Sequence, residues 1–269
     1  MFSVRHLRNM LASARNLGLD LPDTYRWIWS YYASRLPRAT ARKASSARIS
    51  LPNVAGSRCD LVIRNNGYDW MVVEEIFGNH AYPMDTGAPP ETILDLGGNI
   101  GLGALWFACN YPNAQICSVE PIPDNLAILK RNVDLNGAKV RIVEAAAGLQ
   151  DGTTRFSMSE DPRQHSTQIS VLRTDKVVDV AVISVPSLMS LMGWDRIDLL
   201  KIDIEGAERD VLGGRPSWLT QVGTIIGEGH LGVGYTIEAC RADLEPMGFQ
   251  VELLDTNDGA IVFLARRSR

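Results

Sequence analysis

What the chain lacks narrows it first. Its 269 residues include four cysteines, Cys59, Cys109, Cys117 and Cys240, and no two stand in a C-x-x-C spacing. Neither a zinc site nor a redox pair is therefore signalled. Cys109 and Cys117 lie among apolar neighbours and read as small core side chains, a usage that suits a reducing compartment. No apolar run reaches the roughly 18–20 residues that a bilayer-spanning helix needs. The opening MFSVRHLRNM lacks the continuous apolar stretch of a secretory signal. A cytoplasmic protein without a membrane partner is the resulting expectation. The G-x-G-x-x-G spacing of dinucleotide binding is missing as well, and so are internal repeats and low-complexity tracts.

Charge is uneven along the chain. The net charge is −4, yet residues 1–50 hold nine Lys/Arg and two Asp/Glu, so this segment carries +7 and the remainder −11. A basic arm can meet phosphate, an acidic partner or a membrane surface, and it also suits a solvated helical face docked on an acidic body. The acidic body speaks against extensive nucleic-acid contact, which rests on neutralising phosphates. Nucleic acid is not expected as a partner, and a homo-oligomer is left open.

Two helical patterns open the chain. Leu7, Met10, Leu11, Ala14 and Leu17 recur at helical spacing up to Gly18, and Asp23 or Thr24 can cap a helix carrying Trp27, Ile28, Tyr31 and Leu36. Residues 38–46 read as a basic linker, and Arg48–Leu51 and Cys59–Ile63 as strands around a turn. From residue 91 strands and helices alternate. Strands are expected at Thr92–Leu96, Gln115–Glu120, Val140–Ala145, Ile197–Ile204 and Val222–Ile226. Helices are expected over Ile100–Asn110, Gly206–Leu212 and from Thr236 to Gly248. Val251–Leu254 and Ala260–Leu264 close the chain as a hairpin. This alternation implies a parallel sheet covered on both faces. An appendage over residues 1–68 and a main domain over residues 69–269 are expected.

Four segments could carry chemistry. The run Ile93-Leu94-Asp95-Leu96-Gly97-Gly98-Asn99-Ile100-Gly101 follows a strand and opens a helix, where α/β sheets bind ligands. Its glycines permit close backbone approach, and the helix start favours negative charge. Asp95 suits a cofactor with a free ammonium group, such as the methionine end of S-adenosylmethionine. One unit later, Glu120 can accept hydrogen bonds from two ribose hydroxyls, with Pro121 and Ile122 as an apolar edge for adenine. The third segment, Leu200-Lys201-Ile202-Asp203-Ile204-Glu205-Gly206-Ala207-Glu208, sets three carboxylates and a lysine beside an apolar strand, which is costly unless something uses them. Asp203 belongs where the strand leaves the sheet, while first-turn helix-dipole compensation accounts for Glu208. In the fourth, Gly227-Glu228-Gly229-His230 after a strand, Glu228 or His230 could take a proton from an acceptor. Asp203, Glu205 and Glu228 could in principle hold a divalent cation, but no metal site is assigned.

Taken together these segments resemble the FkbM-type branch of class I S-adenosylmethionine-dependent methyltransferases. The likeness covers roughly residues 69–265 and includes Glu74-Glu75-Ile76-Phe77 with Tyr82, Val119-Glu120-Pro121, Asn132–Gly137 and the Leu200–Glu208 stretch. The resemblance implies a Rossmann-like seven-stranded sheet of order 3-2-1-4-5-7-6, here with an N-terminal helical appendage. It implies cofactor contacts at Asp95, Gly97, Gly98, Asn99, Gly101, Glu120, Pro121 and Asp203, with the backbone near Ala145 and Ala146 beside adenine. Many relatives carry an acidic side chain at this last place, where this chain has alanine. It further implies methyl transfer to oxygen on a sugar or natural-product-like small molecule, with a hydroxyl as acceptor. Catalytic candidates are His230, Glu228, Asp203 and Glu205. Methylation of RNA or protein, and a non-catalytic cofactor-binding module, are the competing readings.

Overall fold

The computed structural model describes residues 4–33, 46–66, 68–79, 81–82, 88–158, 176–257 and 259–267. The chain opens with α1 (Val4–Asn16), α2 (Leu21–Ala33), β1 (Ser46–Val54), β2 (Ser57–Arg64) and α3 (Asp69–Val73), which runs into a π turn over Glu74–Gly78. Then come β3 (Thr92–Leu96), α4 (Leu102–Asn110), β4 (Gln115–Val119), α5 (Pro123–Asn136), β5 (Val140–Val143), β6 (Ala146–Gly148), β7 (Gly152–Met158) and β8 (Lys176–Ser184). The last part comprises α6 (Val185–Met192), β9 (Ile197–Ile202), α7 (Glu208–Leu212), β10 (Val222–His230), α8 (Ile237–Leu244), β11 (Phe249–Asn257) and β12 (Ala260–Arg267).

Seven strands form one sheet in the order β11-β12-β10-β9-β3-β4-β5. Numbered among themselves in chain order and read from the β5 edge, they run 3-2-1-4-5-7-6. β3 lies parallel to β4 and β9, and β9 to β10, whereas β12 is antiparallel to both β10 and β11. The apolar runs of β3 and β9 are almost entirely buried, as a strand covered on both faces requires. A smaller sheet, β6-β8-β7, accounts for the polar stretch after Gly152. Residues 159–175, between β7 and the central β8, lie outside the described residues, as does most of the basic linker read at 38–46.

Chain contacts divide the protein into two compact units that do not follow sequence order. The larger takes residues 85–98, 113–123 and 141–269. Its core runs through Leu94, Leu96, Val119, Leu200, Ile202, Ile225 and Phe263. Two helices of this unit begin at side-chain caps. Ser184 accepts from the Ser187 N–H ahead of α6, and Thr236 does the same for Ala239 ahead of α8, each satisfying an orphan donor.

The other unit joins residues 1–84 to 99–112 and 124–140. Here two asparagines one helical turn apart on α5 take the place of a neighbouring strand along β2. The Asn132 carboxamide accepts from Val62 N (2.6 Å) and donates to Val62 O (3.1 Å) and Ile100 O (2.8 Å). Asn136 likewise accepts from Asp60 N (2.8 Å) and donates to Asp60 O (2.7 Å). The edge of β2 thereby gains partners for backbone groups that would otherwise be left unpaired inside the unit. On α4, Trp106 meets Phe77 edge-on at 5.6 Å and Phe107 stacks on Tyr82 at 5.2 Å, which gives the Glu74–Phe77 motif and Tyr82 a packing role.

Asn132→Leu would remove three hydrogen bonds and strand the Val62 N–H and C=O in a buried setting. The expected loss is about 2–4 kcal/mol, seen as a lower urea midpoint. An unchanged midpoint would show that β2 does not depend on this carboxamide.

Candidate active site

The glycine loop is a left-handed turn built between strand and helix. Gly97 (φ 85°), Asn99 (φ 47°) and Gly101 (φ 87°) all have positive φ, and Gly101 directly precedes α4. Asparagine tolerates this region better than most side chains. The N–H groups of Gly97 and Gly98 both donate to Val119 O, at 3.0 and 2.9 Å, which ties the loop to the end of β4. A Cβ placed on Gly97 would lie 1.7 Å from the Asp203 carbonyl oxygen. The glycine is thus demanded by the chain leaving β9, not only by the approach of a ligand. Within the smaller unit, Asn99 receives a long 3.5 Å contact from Arg64, itself fixed by Asp69 at 2.7, 2.9 and 3.0 Å through its backbone N–H and guanidinium.

Under the loop, in register across β4, β3 and β9, stand Ser118, Asp95 and Lys201. Asp95 has no exposed surface. Its Oδ2 accepts from Ser118 Oγ at 2.7 Å, and its Oδ1 lies 3.2 Å from Lys201 Nζ. Lys201 is itself buried and donates to Gly97 O at 2.6 Å, with Leu96 O at 3.3 Å. Asp95 therefore sits beneath the loop with its charge answered inside the protein. The carboxylate that remains open beside the loop is Asp203, 35% exposed and 4.0 Å from the same ammonium. Asp203 follows the end of β9, as the sequence implied, and its N–H donates to Leu96 O.

The tips of β4 and β5 meet in the same unit. Glu120 is 4% exposed, its N–H donates to Val143 O at 3.1 Å, and its Oε1 accepts from Ile122 N at 2.9 Å. Ile122 packs on Ala146, and Ala145 is buried in the main core. Glu120, the half-buried Pro121, Ala145 and Ala146 thus occupy one corner of the sheet. A small residue at 145 and 146 keeps that corner flat and apolar.

A second cluster forms where β9, α7 and β10 come together. The sequence reading placed Gly227–His230 after a strand, but β10 continues through His230, paired with β12 from Thr224↔Arg266 to His230↔Ala260. The alternation explains the motif. Cβ atoms at Gly227 and Gly229 would collide with the Phe263 ring (2.5 Å) and with Tyr235 O (2.9 Å), so the core face takes glycines. Glu228 and His230 share the opposite face. β9 likewise ends at Ile202 rather than Ile204, and α7 starts at Glu208 rather than Gly206. Between them Glu205 and Gly206 adopt φ 55° and 101°.

His230 is held from both sides: Nδ1 lies 3.0 Å from Glu208 Oε1 and Nε2 3.3 Å from Glu205 Oε2. Glu208, fully enclosed, also accepts from Ile204 N at 3.0 Å and Gly206 N at 3.1 Å. Burial alone would favour the neutral imidazole, yet the two carboxylates outweigh it and raise its pKa to about 11. Glu208 answers to the same balance: burial works against its charge, and His230 with the Gly206 N–H holds its carboxyl below the usual range. Glu205 differs. Burial, helped by the nearby Asp203 and Glu208 charges, outweighs His230 and pushes its carboxyl up to about 7, while its side chain keeps 38% exposure.

With both ring nitrogens facing carboxylates, the protonated form of His230 is favoured. Glu208, which helix-dipole compensation was expected to explain, is the hub that fixes His230. Lys201 was visible in the sequence as a charge in an apolar strand, and its partner is Asp95, in register on the adjacent strand β3. Asp203, Glu208 and His230 each offer a ligand atom within 4.8 Å of the others. This set differs from the Asp203, Glu205 and Glu228 combination weighed from sequence.

Gly97→Ala would force the loop off the Asp203 carbonyl and strain a positive φ. The expected stability loss is about 1–3 kcal/mol, read as a lower urea midpoint. A wild-type midpoint in this variant would show that the close approach to Asp203 does not matter.

Residues 95–257, more than half of the chain, match the model of the methyltransferase FkbM domain. Among curated proteins the chain is similar to methyltransferase 1 of Beauveria bassiana (strain ARSEF 2860), at 28% identity over 161 residues covering 52% of this chain and 65% of that protein. Methyltransferase sdnD of Sordaria araneosa is 29% identical over 174 residues, covering 53% and 67%. The 2-O-methyltransferase NoeI of Sinorhizobium fredii (strain NBRC 101917 / NGR234) is 28% identical over 155 residues, covering 52% and 63%. The chain spans about two-thirds of the length of these relatives. A match that runs from the buried Asp95 through the glycine loop and the Lys201–Glu208 stretch to the end of β11 makes this chain a member of the FkbM methyltransferase family.

Proposed function

We propose that this chain is an S-adenosylmethionine-dependent O-methyltransferase acting on a hydroxyl of a sugar-like or natural-product-like small molecule. The observation that carries the reading is Glu205. It is a partly exposed carboxylate with a pKa near 7, held beside a fixed imidazolium. Such a group suits an acceptor that must lose a proton during transfer. The name of one matched relative, a 2-O-methyltransferase, supports the same acceptor class.

The residues present fit the cofactor. Glu120 offers a carboxylate for a ribose diol, Pro121, Ala145 and Ala146 an apolar corner for an adenine ring, and Asp203 an open carboxylate beside the loop for a cationic amino acid end. Asp95 acts from below, through Lys201 and the Gly97 carbonyl. When bound, S-adenosylmethionine supplies a methyl group on a sulfonium for in-line displacement.

The chain's own part is alignment and proton handling. Glu205, ionised, accepts the hydroxyl proton at its carboxylate. His230 donates to Glu205 and Glu208 and so keeps the Glu205 carboxylate oriented. Glu228, on the same strand face two residues before His230, borders the acceptor side in this reading.

Two measurements test the proposal. Transfer of labelled methyl from S-adenosylmethionine to a panel of hydroxylated sugars and polyketide-like alcohols should give product for at least one class. With that acceptor, the rate should rise with pH through about 7, where the Glu205 carboxyl titrates in this reading, because the carboxylate form is lost as pH falls below that value. Glu205→Gln should remove this rise and lower kcat by about 10²–10⁴, with cofactor affinity within twofold. A full rate in Glu205→Gln would exclude it as the base.

A further inference from the structure

The helices that precede the family match carry large apolar side chains on their solvent faces. On α2, Leu21 is 86% exposed, Tyr25 67% and Trp29 38%, and their spacing of four residues sets them in one stripe. The opposite face already holds the fully buried Trp27 and the buried Asp23, so this helix has apolar bulk on both sides. On α1, Met10, Ala14 and Leu17 are buried, while Leu7 and Leu11, one turn apart, stay 40% and 46% exposed. Arg8 and Arg15 are exposed on the same helix, which contains no Asp or Glu. A stripe of this kind, on a single short segment, marks an interaction surface rather than scattered exposure.

Charge selects the occupant. Residues 1–50 carry +7 against −11 for the rest. A second copy meeting through the same stripe would bring like charges together, since residues 4–33 hold four Arg against two Asp. An anionic bilayer satisfies both features: its acyl boundary takes leucine side chains, its headgroup layer takes the amphipathic Trp and Tyr rings, and its negative potential attracts the arm. The same potential repels the acidic remainder, which favours approach by the arm first. We propose that the α1–α2 segment docks on the surface of an anionic lipid bilayer, lying in the interface without crossing it. At 13 residues each, neither helix could span the hydrocarbon core. This surface contact is a partner the sequence reading did not expect, and it stands independently of the methyl-transfer reading.

Sedimentation of the full chain with phosphatidylcholine vesicles, with and without phosphatidylglycerol, tests it. At low salt the protein should pellet with the anionic vesicles and stay in solution with the neutral ones, and raising NaCl to about 0.5 M should release it. Leu21→Ser/Tyr25→Ser should lower the partition coefficient on the order of tenfold or more. A urea midpoint equal to wild type would show that the variant is folded. Arg8→Gln/Arg15→Gln, which leaves the stripe intact, should weaken binding and flatten its salt dependence. Failure to pellet with anionic vesicles at low salt would overturn the proposal, as would equal binding by the Leu21/Tyr25 variant. A concentration-dependent dimer that Tyr25→Ser abolishes, without vesicle binding, would assign the stripe to a second copy instead.

Discussion

A buried ion pair between Asp95 and Lys201 sets the geometry on which the candidate site depends. Two charges placed in adjacent parallel strands, with Ser118 on the far side, are expensive to desolvate and gain stability only when their remaining bonds are made. Lys201 makes them by reaching the Gly97 carbonyl. That contact converts a charge in the sheet into a constraint on the loop above it. The loop then rests on the Asp203 carbonyl, where only glycine fits, and on Val119 O through two N–H groups. One further bond, from Glu120 N to Val143 O, carries the tie to the next strand tip. The ends of β9, β3, β4 and β5 are thereby joined as one piece of backbone.

The cluster of Glu205, Glu208 and His230 is built by the same means at the next strand. β10 extends to His230 because Gly227 and Gly229 let Phe263 and Tyr235 close over the core face. His230 is thus delivered on a rigid strand instead of a loop, and Glu208 meets it from the first turn of α7. The chain between Ile202 and Glu208 must turn sharply, and it does so through Glu205 and Gly206 at positive φ. A non-glycine residue in that region costs free energy, and such residues concentrate at functional sites. The partly exposed Glu205 and the enclosed Glu208 are pushed in opposite directions by their surroundings, the first carboxyl up and the second down.

Much of this was readable in the residues. The alternation of apolar strands and capped helices gave the α/β sheet, and the positions of Asp95, Gly97, Glu120 and Asp203 at strand ends followed from where each apolar run stops. The roles were harder. Asp95 read as a ligand carboxylate because nothing in a linear sequence says that Lys201 lies in register with it. Glu208 read as helix-dipole compensation because its burial and its bond to His230 arise only when β10 pairs with β12. His230 read as a base because its second carboxylate, Glu205, comes from a left-handed turn that local patterning does not encode. Asn132 and Asn136 drew notice only as part of a motif. Their carboxamides complete β2, 70 and 76 residues away in sequence.

The account is tested most directly at Lys201. Calorimetric titration of S-adenosylmethionine into wild type, Lys201→Met and Asp95→Asn/Lys201→Met separates loop placement from stability. The single variant strands a buried carboxylate and should lose about 3–5 kcal/mol of stability. The double variant should recover most of that loss yet still bind the cofactor on the order of tenfold or more weakly, because nothing then holds the Gly97 carbonyl. Wild-type affinity in the folded double variant would contradict the claim that this pair positions the loop.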